Sequence, residues 1–153
     1  MTKRAKTTTI LMADDDPEDC LMTKEAFAEC HLRNDLRFVE DGEELMDYLL
    51  HRGRYSDPAA SPRPGLILLD LNMPKKDGRE ALQEIKADAD LRSIPIVVLT
   101  TSKAEEDIVS SYALGVNSFI AKPVGFTELV KAIQVFGTYW LEIVELPMEQ
   151  KAR

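Results

Sequence analysis

The chain has 153 residues, of which 44% are hydrophobic, and this size suits one compact domain with a substantial core rather than two small ones. Its formal net charge of -8 repels phosphate backbones, so we expect no direct contact with nucleic acid. No apolar run approaches the roughly 18 residues of a membrane span, and the basic start lacks a signal peptide's apolar region, so a cytoplasmic protein with reduced cysteines is expected.

The first predicted strand covers residues 8–13 and ends in an acidic triplet, residues 14–16. Asp16 suits the N-cap of a helix that begins at Pro17, because proline is favoured at the first helical position. Four apolar residues then recur at helical spacing and predict one buried helix face: Met22, Ala26, Phe27 and Cys30.

A second strand and helix lead into a long loop. The strand covers residues 36–39, and the helix follows Asp41-Gly42 and continues through Leu49. Residues 52–65 are the one stretch rich in Pro, Gly and Ser, which predicts a loop. The loop is long for a connection between a helix and a strand. It is therefore either an insertion with a role or a tolerated excursion, and we favour the excursion.

The remaining chain alternates strands with helices. Residues 66–69 form a continuous apolar run, which is typical of a strand buried on both faces, and the run ends at Asp70. The further predicted elements are a helix over residues 79–88, a strand over 96–99, a helix over 104–114, a strand over 118–121 and a last helix from Phe126.

Strands that alternate with helices, each strand apolar throughout, predict an α/β fold with a parallel sheet covered on both faces. In such sheets ligands bind beyond the carboxyl ends of the strands. Each polar residue there has an ordinary explanation alone, such as a helix cap or a turn. Together they predict a binding site at the ends of four strands: Asp14 and Asp15, Asp70, Thr100 and Lys122.

Three carboxylates at one end of a buried sheet repel one another, so a cation must offset them. Oxygen ligands without a nearby histidine or cysteine point to a hard ion, and Mg²⁺ is the natural candidate. A metal, a lysine and a strand-end hydroxyl around a carboxylate suit phosphoryl transfer. One carboxylate would then act as the nucleophile and form an aspartyl phosphate.

Four segments resemble the signature blocks of the bacterial response-regulator receiver family. They are ILMADDDP, LILLDLNMPKKDG, PIVVLTTS and FIAKP, and the resemblance runs in order from Thr8 to Phe136. It implies a single doubly wound (βα)5 domain of the flavodoxin-like class, with a five-stranded parallel sheet in the order 2-1-3-4-5. The domain would cover residues 8–137, between a disordered tail at 1–7 and a C-terminal extension at 138–153.

The resemblance also implies roles for the acidic residues. Asp70 would be the phosphoacceptor, and the protein would catalyse only its own phosphorylation and dephosphorylation. Mg²⁺ would be bound by Asp15, Asp70 and the backbone carbonyl of Asn72, while Asp14 would act through a water molecule. The phosphoryl group would come from a sensor histidine kinase.

In the same family pattern, Thr100 and Lys122 would hold the phosphoryl oxygens, and Thr100 and Phe119 would be the switch residues. Phe119 lacks the hydroxyl of a tyrosine, so a hydrogen-bonded form of the switch is excluded here. Rotation of an apolar ring into the core can still report on Thr100. Phosphorylation would add roughly -1.5 to -2 charges at Asp70 and so change the affinity for a partner.

The C-terminal extension carries the chain's single tryptophan. Its residues Tyr139, Trp140 and Ile143 either fold back on the core or form an interface. We favour a symmetric homodimer built on the predicted fourth and fifth helices plus this extension, because exposed aromatic and aliphatic residues more often mark interfaces. The extension, the LTTS block and the long loop resemble the stand-alone response regulators that partner phytochrome-type histidine kinases. A red-light-sensing kinase would then be the partner, although a different sensor kinase stays open.

Two other functions stay open at this point. A phosphatase of the haloacid dehalogenase type also forms an aspartyl phosphate, but that family needs a second Asp two positions after the nucleophile, where this chain has Asn72. An interaction module would dimerise through its tail and leave the acidic pocket unused. Phosphoryl uptake on Asp70 separates the switch from the interaction module, and turnover of small phosphoesters would identify the phosphatase.

Overall fold

A parallel sheet forms the centre of the fold in the computed structural model, which describes residues 8–30, 32, 34–71, 73, 75–76, 78–100, 118–121 and 125–136. The strands are β1 (Thr9–Ala13), β2 (Asp35–Val39), β3 (Leu66–Asp70), β4 (Ile96–Thr100) and β5 (Ser118–Ala121). They pair in parallel in the order β2-β1-β3-β4-β5, which confirms the sheet predicted from the sequence. The helices are α1 (Pro17–Glu29), α2 (Gly42–Leu50), α3 (Gly78–Ala87) and α4 (Phe126–Phe136), with a 3₁₀ turn at Gly53–Tyr55.

The apolar strands of the sequence are the central strands of the sheet. Every residue of β1 and β3 is buried, because a strand covered by helices on both faces has no side that contacts water. β2 lies at the edge of the sheet, and within it only Val39 is buried. This position explains why the sequence of β2, DLRFV, mixes charged and apolar residues.

Helices cover both faces of the sheet, and successive strand residues point to opposite faces. Leu11 and Ala13 of β1 belong to a buried cluster with residues of α2 and α3, whereas Ile10 and Met12 belong to a cluster with residues of α1 and α4. The helix residues in these two clusters include Leu45, Met46, Ala81 and Leu82 on one face, and Ala26, Phe27, Leu129 and Ile133 on the other. The architecture is therefore doubly wound, as predicted.

Two aspartates begin helices directly after strands. Asp16 caps α1 by accepting a hydrogen bond from the backbone N–H of Glu18 at 2.9 Å, as predicted. Asp41 caps α2 in the same way, accepting from the N–H of Glu44 at 2.7 Å. Both helices therefore start at the carboxyl end of the sheet, where their N-terminal N–H groups favour negative charge.

Element boundaries differ from the predicted ones by one residue in several places. β1 begins at Thr9, not Thr8, because the carbonyl of Thr8 accepts a hydrogen bond from the side chain of Asn34 at 2.9 Å. α3 ends before Asp88, whose carboxylate accepts from the N–H groups of Asp90 and Leu91 and so forms the next turn.

Three predicted regions lie outside the residues that the structure describes. These are the tail at residues 1–7, the helix at 104–114 and the extension at 138–153. Among the helices that the structure does describe, none has the length and apolar character needed to cross a membrane.

Residues 52–65 form the predicted loop, apart from the single 3₁₀ turn. Three consecutive backbone carbonyls of this segment accept hydrogen bonds from side chains elsewhere in the fold. The donors lie on β2, on α2 and at His51, the residue that follows α2. The segment therefore holds a defined position against the fold. The pairs are Arg37 with Ala60, His51 with Ser61 at 2.9 Å and Tyr48 with Pro62 at 2.8 Å.

The substitution Tyr48→Phe is expected to lower the free energy of unfolding by about 1 kcal/mol, because the Pro62 carbonyl loses its donor. The Tyr48 ring is buried, and phenylalanine keeps it in place, so the loss reports on the hydroxyl, which also interacts with Arg37. Urea unfolding of both proteins measures the difference. An unchanged free energy would show that water replaces the hydroxyl at Pro62.

Candidate functional site

The register of the sheet brings Asp14 and Asp70 together. Ala13 at the end of β1 pairs with Leu69 on β3, so the next residue of each strand lies at the same carboxyl edge. The backbone N–H of Asp14 donates to the carbonyl of Val39 at 3.0 Å, which keeps Asp14 in line with β1. Two residues far apart in the sequence therefore leave the sheet side by side.

Asp15 completes an acidic cluster with Asp14 and Asp70. One carboxylate oxygen from each residue lies within 4.8 Å of the other two. Asp14 is 1% exposed and Asp70 is 4% exposed, whereas Asp15 is exposed, so the cluster opens to solvent on one side. Carboxylates this close repel one another strongly where water is partly excluded.

The acidic cluster fits a hard divalent cation. All three side chains offer oxygen atoms, and the group contains no histidine or cysteine that would favour a softer metal. Its open side suits Mg²⁺, which binds through one or two carboxylates and keeps several water molecules. The donor chemistry of these residues therefore fits a hard divalent cation, and the choice of Mg²⁺ stays a prediction.

The start of α1 lies directly beyond the acidic cluster and orients one of its members. The backbone N–H of Asp16 donates to Oδ1 of Asp14 at 2.9 Å. The thiol of Cys20 donates to the backbone carbonyl of Asp14, with 3.8 Å between Sγ and the oxygen. Hydrogen bonds to a carboxylate favour its charged form, so the bond from the Asp16 N–H to the Asp14 carboxylate offsets part of the repulsion within the cluster.

The start of α3 presses against the backbone of Asp70. The N–H of Gly78 donates to the carbonyl of Leu71 at 3.0 Å. A Cβ atom at Gly78 would lie 2.4 Å from the Asp70 carbonyl oxygen and 2.5 Å from the Leu71 Cα, and both neighbours are backbone atoms. Gly78 was not among the predicted site residues, although the Asp-Gly pair in front of the predicted helix was a usable signal.

The start of α2 contacts the loop between β3 and α3 (the β3–α3 loop) at two of its described residues, Lys75 and Lys76. The N–H of Gly42 donates to the carbonyl of Lys76 at 2.9 Å, and a Cβ atom on Gly42 would lie 2.1 Å from the same oxygen. Lys75 has a left-handed backbone conformation (φ 61°), and its ammonium lies 3.8 Å from the carboxylate of Asp41. The loop is therefore tied to α2 as well as to α3, which the sequence did not predict.

The structure brings together three of the predicted site residues, Asp14, Asp15 and Asp70. Thr100 ends β4, the neighbour of β3, and Phe119 lies on β5, so their backbone positions agree with the prediction while their side chains are not described. Five predicted residues lie outside the described part of the chain: Asn72, Lys122, Tyr139, Trp140 and Ile143. The chemical role of each residue stays a prediction.

Comparison with known proteins gives the same family as the sequence motifs. The profile described as response regulator receiver domain matches residues 10–134. The chain is similar to the response regulator Rcp1 of Synechocystis sp., with 44% identity over 138 residues that cover 90% of this chain and 92% of Rcp1. It also superimposes on the Mn²⁺-bound form of Rcp1, with a TM-score of 0.79, 43% identity and coverage of 89% and 96% of the two chains.

Two further solved structures are similar over most of their length. One is the phosphorylated cyanobacterial phytochrome response regulator RcpA, with a TM-score of 0.81, 42% identity and coverage of 90% of this chain and 96% of RcpA. The other is the response regulator RPA3017 in red light signaling of R. palustris. It has a TM-score of 0.81, 36% identity and coverage of 88% and 94%. At these identities the likeness extends beyond the fold to the family.

Proposed function

The chain belongs to the response regulator receiver family, and from this membership we propose that it accepts a phosphoryl group on Asp70 and works as a phosphorylation-controlled protein-interaction switch. The observation that carries the proposal is the acidic cluster, which places Asp70 beside Asp14 and Asp15 at the open carboxyl end of the sheet. Ligands of parallel α/β sheets bind at this end.

Asp70 is the carboxylate best placed to be the nucleophile. It ends β3, which lies between β1 and β4, so the other two acids lie on one side and Thr100 on the other. In the transfer, a carboxylate oxygen of Asp70 forms a bond to phosphorus while the P–N bond of the donor phosphohistidine breaks. The imidazole leaves with the electron pair and takes up a proton, and an aspartyl phosphate remains.

Mg²⁺ is the cofactor that we propose, held by the carboxylates of Asp15 and Asp70 and the backbone carbonyl of Asn72, with Asp14 acting through water. The oxygen donors of the acidic cluster and its solvent-facing side support this choice. A bound divalent ion supplies positive charge that offsets the acids and the phosphoryl oxygens. The relative Rcp1 is known in an Mn²⁺-bound form.

The switch itself is assigned to the residues around the phosphoryl group. Thr100 and Lys122 hold the phosphoryl oxygens, and Phe119 responds to the movement of Thr100; the position of Thr100 at the end of β4 supports this role. The added roughly -1.5 to -2 charges change the surface that partners recognise. In this proposal the protein catalyses only its own phosphorylation and dephosphorylation.

The proposed phosphoryl donor is a sensor histidine kinase of the phytochrome type. RcpA is described as a phytochrome response regulator and RPA3017 as part of red light signaling, and this supports the assignment by similarity. A homodimer through Tyr139, Trp140 and Ile143 and a location in the cytoplasm complete the proposal on sequence grounds alone. Asn72 in place of a second Asp argues against hydrolysis of small phosphoesters.

Intact-mass spectrometry after incubation with acetyl phosphate tests this function. One added phosphoryl group is expected with Mg²⁺ and none with EDTA. A phytochrome-type kinase that has phosphorylated its own histidine serves as a second donor and tests the partner. A chain that neither donor modifies would support the interaction module with an unused pocket, and steady turnover of p-nitrophenyl phosphate would support the phosphatase.

A further inference from the structure

The carboxylate of Glu44 joins three parts of the chain. Its Oε1 accepts a hydrogen bond from the backbone N–H of Glu40 at 2.8 Å, just before α2. Its Oε2 accepts from the hydroxyl of Tyr55 and from the guanidinium of Arg54. The side chain is only 19% exposed, so these bonds are partly shielded from water. Glu44 therefore connects the start of α2 with the 3₁₀ turn of the 52–65 segment.

Tyr55 is held in place by packing as well as by its hydrogen bond to Glu44. Its ring packs against the buried ring of Tyr48, with 5.1 Å between the centroids and 54° between the planes. Burial, followed by the hydrogen bond to the Glu44 carboxylate, raises the pKa of the Tyr55 phenol, so the hydroxyl stays protonated and donates. The 52–65 segment is thus held at both ends, through Glu44 here and through the anchored carbonyls further on.

The start of α2 in turn carries the β3–α3 loop. The Gly42 N–H donates to the Lys76 carbonyl, and the two backbones approach so closely that a Cβ atom on Gly42 would lie 2.1 Å from that oxygen. The two ends of the same loop also meet, because Gly78 at the start of α3 packs on the carbonyl of Asp70 at the end of β3. Among the described residues, contacts therefore join Tyr55 to Glu44, Gly42 to Lys76, and Gly78 to Asp70.

We propose that Glu44 is a positioning residue for the phosphoacceptor site: it ties the 52–65 segment to the start of α2 and so holds the β3–α3 loop beside Asp70. The chemical consequence of this inference rests on the proposed function, whereas its geometry rests on the contacts of Glu44. Loss of the tie loosens the β3–α3 loop and weakens metal binding at the acidic cluster. The long loop then has a role and is more than a tolerated excursion.

If Glu44 only stabilises the first turn of α2, its loss should leave the β3–α3 loop unchanged. The substitution Glu44→Gln separates the two roles, because glutamine keeps an oxygen for the Glu40 N–H but removes the negative charge opposite Arg54 and offers Tyr55 one acceptor fewer. Tyr55→Phe weakens the same tie from the other side, because it removes the hydroxyl that donates to Glu44 while the Arg54–Glu44 contact remains. Tyr48→Phe is the matched control, since it frees the segment at Pro62 without touching Glu44.

The first measurement is hydrogen exchange of the Gly42 and Gly78 amides relative to the Leu68 amide of the core strand β3. In Glu44→Gln and in Tyr55→Phe, both loop amides are expected to exchange about tenfold faster relative to Leu68, because a hydrogen bond to a charged group is lost. The double variant is expected to exchange no faster than Glu44→Gln alone, since both changes act on the same contact. In Tyr48→Phe the ratio stays within about twofold of the original protein.

The second measurement is the Mg²⁺ dissociation constant by isothermal titration calorimetry. Glu44→Gln and Tyr55→Phe are expected to weaken binding about threefold to tenfold, as for residues that support metal ligands from behind, while Tyr48→Phe has no effect. Unchanged exchange at Gly42 in Glu44→Gln overturns the inference, whether or not the protein takes up phosphate. If the variants show the expected exchange changes but neither acetyl phosphate nor the kinase modifies the chain, the proposed function is overturned and the tie through Glu44 still stands.

Discussion

Asp70→Asn is expected to abolish phosphoryl uptake from acetyl phosphate and at the same time to stabilise the metal-free protein. The amide has the size of the carboxylate but does not attack phosphorus, so the mass spectrum should show no adduct. The substitution also removes one of three acids whose oxygens lie within 4.8 Å. Because like charges this close repel in a partly buried site, we expect the free energy of unfolding to rise by about 1–2 kcal/mol.

In the presence of Mg²⁺ we expect the original protein to be more stable than Asp70→Asn, which is the reverse of the order expected without metal. A ligand that binds only the folded state stabilises it, so Mg²⁺ raises the unfolding midpoint of the original protein but not that of Asp70→Asn. Urea unfolding with and without Mg²⁺ measures both effects. Asp47→Asn is the control, because Asp47 forms an exposed ion pair with Arg52 and its loss should change stability by less than about 1 kcal/mol.

Two results would contradict this argument. A metal-free Asp70→Asn protein that unfolds more easily than the original would show that repulsion within the acidic cluster does not dominate. A phosphoryl adduct on the variant would place the nucleophile on another residue. Peptide mapping of the modified chain would then identify that residue.

Gly78→Ala is expected to lower the free energy of unfolding by about 2–3 kcal/mol and to weaken Mg²⁺ binding. The new Cβ would lie 2.4 Å from the carbonyl oxygen of Asp70 and 2.5 Å from the Cα of Leu71. Neither neighbour is a flexible side chain, so α3 or the end of β3 has to move. Movement of β3 displaces Asp70 from the acidic cluster, which is why stability and metal affinity should fall together.

Gly125→Ala provides the matched control for this prediction. Its Cβ would lie 2.6 Å from Oε1 of Glu128, the mobile tip of a side chain that can rotate away. We therefore expect a change of less than about 0.5 kcal/mol in unfolding and an unchanged Mg²⁺ affinity. Calorimetric titration and urea unfolding of the two variants provide the comparison. A Gly78→Ala protein that behaves like Gly125→Ala would show that the contact at Asp70 relaxes without cost.

The fold could be predicted because its signals are local in the sequence. The continuous apolar run of residues 66–69 predicted a strand buried on both faces, and β3 is such a strand. Asp16 followed by Pro17 predicted the start of α1, because helix capping depends on residues that are neighbours in the sequence. The edge strand β2 was the weakest prediction, because a strand that faces solvent lacks a continuous apolar pattern.

The acidic cluster was also predictable, since the topology of a parallel α/β sheet directs every strand end to one edge. Asp14 follows β1 and Asp70 ends β3, and these strands are neighbours in the predicted order, so the proximity of the two acids follows from the fold class. Gly78 and Gly42 were not predicted. Their importance depends on how closely one element approaches the backbone of another, and the residue type alone does not report this distance.

By itself the sequence determined the alternation of five strands with helices, the acids at the ends of β1 and β3, and the family to which the chain belongs. Only the tertiary structure decided that residues 52–65 are anchored and that Glu44 joins them to the start of α2. Periodicity and capping act between residues a few positions apart, and so they leave a local pattern. Glu44 and Tyr55 meet because a chain reversal brings them together, and no repeating pattern records such a contact.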